Sequence, residues 1–333
     1  MAVTTAVAVR LARRFELAAL PTPLHETPRL AKAIGLHGRL LVKRDDLTGF
    51  AVAGNKARPL EFLVAEALER GADVLVTGGA PASNYCQAAA AAAAFAGLDC
   101  VLVYAGSPGR AAGVSDVHPN RAAASHWGAE IRWTGYPDRA SVDAGIERVG
   151  DELSRAGRTP FTTPRGGATA VGTLGFHLAA RELHDQLTGP ALVVVAVGSG
   201  GTIAGLVSGA AALGRDLRIR GASVSRPPDE TRDRALRLAC AGSELLGTRP
   251  PAATDVVIED ARGAGHGIPS AEGARAAELA LRTAGLVLDP VYTAKALGAL
   301  PRILGEQRKD PDLTTVFWHT GGLLDAVAGW ERP

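Results

Sequence analysis

Four short segments gather the residue types that could carry chemistry. The first is Gly198-Ser199-Gly200-Gly201-Thr202, which follows the unbroken apolar run 191–197 and precedes a segment of small residues, 203–213. Glycines at such a junction let successive backbone N–H groups turn inward, and the start of a helix adds the positive end of its dipole, so the constellation suits a phosphate. No Gly-Lys-Ser/Thr triplet follows, and Ile203 stands where a dinucleotide fingerprint needs its third glycine. A single phosphate is therefore expected, with the Thr202 hydroxyl as an extra donor. A tight strand-to-helix turn without a ligand is the plainer alternative, because parallel sheets contain many of them.

The second segment is Gly54-Asn55-Lys56, at the head of the amphipathic stretch 55–70. Five lysines (Lys32, Lys43, Lys56, Lys295, Lys309) stand among 36 basic residues, so a lysine at a special place carries some meaning. A helix N-terminus disfavours an ammonium. Lys56 is then either solvated or held with a depressed pKa, the state that imine chemistry requires. The third segment, Ser83-Asn84-Tyr85, opens the helix expected after a strand at 73–77. Ser or Asn is a good N-cap there, and the same free N–H groups could instead bind a carboxylate. The fourth pairs Asp289-Pro290-Val291-Tyr292-Thr293 with His319-Thr320-Gly321-Gly322, two polar turns beside apolar segments, where open α/β sheets hold ligands.

Positioning these segments takes strands alternating with helices. Strands are expected at 39–43, 73–77, 100–105, 129–134, 191–197, 217–224 and 315–318, and helices at 55–70, 83–96, 142–156, 172–187 and 203–213. Asn55 would cap the first of these helices, Gly71 would end it, and Pro59 fits only in its first turn. Residues 78–82 read as a turn, 108–120 as a loop and 161–170 as a connector, and the alanine run at 88–94 as helix filler. Strands joined by such helices pair in parallel, which predicts an α/β fold.

Composition narrows the function classes. The chain has 333 residues, is 47% hydrophobic and 21% charged, and carries a net charge of +2. That excludes disorder, predicts one large or two modest domains, and offers no basic face for nucleic acid. Three scattered cysteines, Cys86, Cys100 and Cys240, suit a reducing compartment. The apolar N-terminus is interrupted by Arg10, Arg13 and Arg14, unlike a signal peptide, and 88–103 is broken by Gly97 and Asp99 before it could span a membrane. A cytoplasmic protein is expected. Asp45 and Asp46 read as turn-forming, His177 and His184 lack a third metal ligand, and His25, His37, His118 and His126 read as surface residues.

Taken in order, KRDDLTG at 43–49, GNKARPLEFL at 54–63, GAPASN at 79–84, GSGGT at 198–202, LDPVYT at 288–293 and HTGG at 319–322 make the chain resemble the D-cysteine desulfhydrase and 1-aminocyclopropane-1-carboxylate deaminase family from about residue 21 to 326. The resemblance implies pyridoxal 5'-phosphate as cofactor and the two-domain tryptophan synthase β-like architecture, fold type II. Residues 1–50 plus 165–333 would form the larger domain and 51–164 a smaller α/β domain over the cleft, commonly in a homodimer. It implies that Lys56 holds the cofactor aldehyde as a Schiff base and later moves the substrate's α-proton. Gly198, Ser199, Gly200, Gly201 and Thr202 would hold the phosphate. Asn84 would meet the phenolic oxygen and Tyr292 would lie against the ring. Ser83 would meet the carboxylate of a small amino-acid substrate, and Thr293 or Thr320 would face the ring nitrogen.

The deaminase branch has glutamate where Thr293 stands. A carboxylate there keeps the ring nitrogen protonated and deepens the electron sink. A neutral hydroxyl suits β-elimination, in which charge leaves promptly with the β-substituent, so a lyase giving a 2-oxo acid and ammonia is expected rather than cyclopropane opening. β-Replacement is the outcome if another nucleophile is captured. The chain also departs from the family pattern. Tyr85, Cys86 and Gln87 follow the Ser-Asn pair where His and, two residues on, Arg are usual, and His266 replaces a tyrosine of a GYGVP-like turn. Tyr85, Gln87 and His266 are thus expected on the substrate side, with His266 able to act as acid or base near neutral pH. A nicotinamide dehydrogenase built on 191–213 is disfavoured by Ile203, and a cofactor-binding protein without catalysis is the remaining alternative.

Overall fold

The structure, a computed structural model, describes residues 13–108, 118–214 and 217–328. The expectations for the N-terminal stretch up to residue 12, and for 109–117 of the loop at 108–120, fall outside the described residues.

Two sheets organise the described residues. The larger has the order β1 (Leu24–Glu26), β2 (Arg39–Arg44), β10 (Thr314–His319), β7 (Ala191–Val197), β8 (Leu217–Ser223), β9 (Val257–Asp260). Only the β1–β2 pairing is antiparallel. The smaller sheet is parallel throughout, in the order β5 (Glu130–Trp133), β4 (Asp99–Tyr104), β3 (Val74–Gly79), β6 (Pro160–Thr162). The strands of the smaller sheet lie between residues 74 and 162 of the chain, and those of the larger on either side.

The apolar run of β7 is continuous because both its faces are covered. Leu192, Val194 and Ala196 pack on one side with α1 (Pro28–Ala33), α9 (Ala271–Ala284) and α10 (Thr293–Leu304). Val193, Val195 and Val197 pack on the other with α6 (Ala170–Gln186) and α7 (Gly201–Leu213). The smaller sheet is sandwiched in the same way. Leu75 and Leu102 face α2 (Ala57–Glu69) and α3 (Asn84–Ala96). Val76 and Val103 face α5 (Arg139–Arg155). The alanines of α3 are not filler: Ala88 to Ala93 are all buried, small enough to bring this helix close to the sheet and to α2.

Several elements differ from the sequence reading. Strand β3 runs on through Gly78 and Gly79, which pair with Val103 and Tyr104. A Cβ at Gly78 would lie 2.4 Å from the Val103 carbonyl oxygen, so that glycine serves close strand packing, and the turn read at 78–82 begins only after Gly79. The loop read at 108–120 ends in a helix, α4 (Pro119–His126), and the connector read at 161–170 contributes the edge strand β6. Asn55 is not a side-chain cap: a 3₁₀ turn at Gly54–Lys56 precedes α2, and the Asn55 amide points elsewhere. Pro59 does sit in the first turn of α2, where it removes no helical bond.

A buried ionic network fixes the first turn of α2. The Arg58 guanidinium donates to both carboxylate oxygens of Asp45 (2.8 Å each) and to Glu182 (3.0 Å). Asp45 also accepts from Thr22 Oγ1 and Trp318 Nε1, and Glu182 pairs with Lys43. Asp45 and Asp46 do open a 3₁₀ turn, Asp45–Leu47, as expected, and the Asp45 side chain also anchors Arg58 from inside the core.

Candidate active site

The carboxyl ends of β3, β6, β7, β8 and β10 open onto one cleft of about 810 Å³. This is where parallel sheets bind ligands, because the loops and helix N-termini converge there. Lys56, Ser83, Asn84, Tyr85, Gly198, Ser199, Gly200, Thr202, His266, Tyr292 and Thr320 all line it, although they are scattered over 265 positions of the chain.

One end is the glycine nest. Gly200 has φ +95°, a value that favours glycine, and α7 begins at the next residue. Arg226 Nη1 and Ser225 Oγ donate to the Gly198 carbonyl oxygen (2.9 and 3.1 Å), and Arg234 Nε donates to that of Ser199 (2.7 Å). With those carbonyls held outward, the amide groups of the turn are left for the cleft. Gly198 has no room for a side chain, since a Cβ would lie 2.9 Å from Tyr292 Cε1. Asn55 Nδ2 donates to Thr202 Oγ1 (3.1 Å), leaving the hydroxyl proton of Thr202 to donate onward. A bare, positively poled backbone cradle of this kind fits a phosphate.

Lys56 enters from the 3₁₀ turn before α2 and is half-buried. Among the described residues it has no hydrogen-bond or ion-pair partner, and burial depresses its pKa to about 8. The turn carrying it is unusual: Ala51 and Val52, neither a glycine, have φ of 45° and 55°. Such conformations cost about 1–2 kcal/mol each and persist only where neighbours enforce them. One enforcer is Gln87, whose Nε2 donates to the Ala51 carbonyl oxygen (2.5 Å). The expectation that Gln87 contacts substrate is thus corrected: it is fully buried outside the cleft lining, supporting the lysine turn.

Ser83 and Asn84 stand opposite, at the head of α3. Ser83 Oγ caps the helix by accepting from Cys86 N (3.2 Å), so its proton remains available to donate. Tyr85 lines the wall, but its hydroxyl is held by Thr163 Oγ1 (3.1 Å) and it is 2% exposed, a strut more than a reaching group.

The remaining wall comes from the turn before α10 and the one after β10. Asp289 accepts from the N–H groups of Val291, Tyr292 and Thr293 and from Thr293 Oγ1 (2.6 Å), so both its oxygens are committed. Burial raises its pKa, those bonds oppose the rise, and it settles at about 6. Thr293 is fully buried with its hydroxyl spent on Asp289, whereas Thr320 lines the cleft. Of the two threonines considered for the ring nitrogen, Thr293 is turned away. His266 Nε2 lies 3.3 Å from the Tyr292 hydroxyl at the exposed mouth. Partial burial first, then Arg139, Lys295, Arg226 and Arg165, lower its pKa to about 4. Those influences favour the neutral imidazole near pH 7.

Other histidines sort as follows. His25, His37 and His126 are exposed, but His118 is not a surface residue: its Nε2 lies 2.9 Å from Asp325 Oδ1. His177 meets Ser208 and His184 meets Asp185. Among the described residues no cluster of His, Cys, Asp and Glu could hold a metal ion, and no helix is long and apolar enough to cross a membrane. The sequence reading missed four cleft arginines, Arg139, Arg165, Arg226 and Arg234. Arg165 pairs with Asp143 and Arg226 with Glu230, while Arg139 and Arg234 hold backbone carbonyls. The signal that could have found Arg226 is its place just beyond a buried strand, at the ligand-binding end of the sheet.

Comparison with known proteins agrees with this geometry. The family described as pyridoxal-phosphate dependent enzyme matches residues 15–321. D-cysteine desulfhydrases of Salmonella paratyphi B and Salmonella choleraesuis are each 37% identical over 315 residues, 93% of this chain and 94% of theirs. A crystal structure of an ACC deaminase homologue superposes with a TM-score of 0.86 at 34% identity, covering 96% of this chain and 95% of that one. Serine racemase from Dictyostelium discoideum, at 14% identity and TM-score 0.67 over 96% of this chain and 97% of its own, shares the fold.

Proposed function

The chain belongs to the pyridoxal-phosphate-dependent enzyme family, and from that premise we propose that it is a lyase carrying out β-elimination on a small β-substituted amino acid, with D-cysteine as the reference substrate. The observation that carries the reading is Lys56: a half-buried amine without a carboxylate partner, depressed to about 8, in the same cleft as a phosphate-shaped glycine nest. In this reading Lys56 holds the cofactor aldehyde, residues 198–202 its phosphate, Asn84 its phenolic oxygen and Tyr292 its ring. Bound there, the cofactor supplies an electron sink for the charge left when a substrate loses its α-proton.

The protein's own groups supply the rest. Lys56, deprotonated in an appreciable minority of molecules near neutral pH, serves as the base for the α-proton. Ser83 and the free N–H groups of the α3 N-terminus receive the substrate carboxylate. The arginines at the cleft add a positive field that draws carboxylates in. Tyr292, held well above the ordinary phenol range by burial, keeps its proton and can donate it, while neutral His266 orients that hydroxyl. Thr293, at the position where ring opening would call for a carboxylate, is neutral with its hydroxyl bound to Asp289, and Asp289 has no free oxygen to substitute. That favours elimination. D-cysteine and water would give pyruvate, sulfide and ammonia.

The test is a panel of D- and L-amino acids scored for 2-oxo acid and ammonia. The expected result is release from β-substituted substrates, none from 1-aminocyclopropane-1-carboxylate, and no activity or yellow colour in Lys56→Ala. Turnover of the cyclopropane substrate alone, or full activity in Lys56→Ala, refutes the reading. The same reading carries a homodimer in the cytoplasm, and light scattering that gave a monomer would remove the first part.

A further inference from the structure

Asn84 does not stand alone at the head of α3. Behind it lies Asn120, in the first turn of α4, which is 1% exposed and does not line the cleft. Asn120 Nδ2 is 2.9 Å from the Ala82 carbonyl oxygen and 3.0 Å from Asn84 Oδ1. A backbone carbonyl only accepts, so the Asn120 atom that meets it must be the NH₂ group. The Asn84 atom that meets the same NH₂ must then be an acceptor, its amide oxygen. The Asn84 amide is thereby fixed by chemistry, with its own NH₂ group left over for the cleft.

Asn120 is fixed in turn. Its backbone N–H donates to His118 Nδ1 (3.2 Å), which leaves His118 the Nε2–H tautomer, and that N–H donates to Asp325 Oδ1 (2.9 Å). Asp325 belongs to α11 (Leu323–Ala328), just beyond the Thr320–Gly322 turn, on the other side of the cleft. Asn120 Oδ1, the side-chain amide oxygen, has no hydrogen-bond partner among the described residues. A buried polar side chain left half-satisfied costs about 1–3 kcal/mol where an apolar residue would cost nothing.

We propose that Asn120 is a positioning residue: it holds the Asn84 amide so that an N–H donor, and never the carbonyl, faces the cofactor's phenolic oxygen, with His118 and Asp325 bracing it from the opposite wall. The proposal rests on the reading of Asn84 given above. A donor on the phenolate drains charge that would otherwise hold the proton on the nitrogen joining Lys56 to the cofactor. Removing the donor therefore raises the pH at which that nitrogen deprotonates.

The test is a pH titration of the visible absorbance of the holoenzyme for Asn84→Ala, Asn120→Ala, the shape-conserving Asn120→Asp, His118→Gln and the double variant Asn84→Ala/Asn120→Ala, with circular dichroism to check folding. Loss of one charge-assisted bond corresponds to a shift of about one pH unit, tenfold in proton affinity. Asn84→Ala and both Asn120 variants are expected to raise the midpoint by about that much, His118→Gln by less, and the double variant no further than Asn84→Ala alone. If Asn84→Ala shifts the midpoint and neither Asn120 variant does, the positioning role is overturned and the Asn84 reading stands. If no Asn84 variant shifts it, both fall. Additive shifts in the double variant also overturn the proposal, because Asn120 would then act by some route other than Asn84.

Discussion

The depressed pKa of Lys56 makes a quantitative prediction for how the cofactor-free protein captures pyridoxal phosphate. The perturbation is pH. An ordinary lysine near 10.4 is neutral in about one molecule in 2,500 at pH 7. With a pKa of about 8, Lys56 is neutral in about one in ten, so at pH 7 it should react roughly a few hundred times faster than a solvated amine. The capture rate, followed by growth of the visible band under excess cofactor, should rise about tenfold per pH unit up to pH 7.5 and level off above about 8. Running a simple alkylamine in the same buffers divides out the titration of the aldehyde itself. The cause is desolvation without a compensating carboxylate. A rate that keeps climbing beyond pH 9.5 in parallel with the alkylamine would show that Lys56 is solvated, and the Schiff-base assignment would lose its physical basis.

Three further outcomes follow from the same structure. Replacing Asp45 with Ala removes one of the two carboxylates that pair with Arg58, leaves Trp318 Nε1 without its acceptor, and should cost about 3 kcal/mol in denaturant unfolding; a loss under 1 kcal/mol would mean the network does not anchor the lysine helix. Gly54 has φ +56°, and a Cβ there would lie 2.5 Å from the Thr320 carbonyl oxygen. Gly54→Ala should therefore cost upward of about 1–2 kcal/mol and weaken cofactor retention on dialysis, whereas unchanged retention would separate the two turns. Burial would raise the Glu182 carboxyl, but Arg58 and Lys43 outweigh it and hold the pKa at about 2. A carboxylate lowered on folding stabilises the protein above its unfolded value near 4.5 and loses that contribution as pH falls toward 2. Unfolding followed across pH 5 to 2 should show this loss, and Glu182→Gln should flatten it.

Signals carried by adjacent residues were readable without coordinates. Strand β7 was legible because seven consecutive apolar residues suit only a strand covered on both faces. Ser83 as helix cap and the turn at 198–202 are likewise local. Short edge strands were not legible: β1, β6 and β9 have three or four residues each, too few to show alternation. The helices at 228–246, 271–284 and 293–304 emerge only in the structure.

The groups that make up the site are written in the chain: a lysine at a helix start, a glycine nest behind a buried strand, and a serine–asparagine pair capping another helix. Each of these is a property of a few neighbouring residues. Which way those groups point, and what holds them, comes from the packing of the whole chain. Gln87 reaches back to Ala51, Thr293 turns in to Asp289, Asn55 reaches across to Thr202, and Asn120 grips Asn84. The Thr293–Asp289 bond spans four positions but depends on the turn between them, and the others join segments 36 to 147 positions apart. A hydrogen bond forms only when donor and acceptor come within about 3 Å in the right orientation. That condition is set by how strands and helices pack, and no spacing along the chain encodes it.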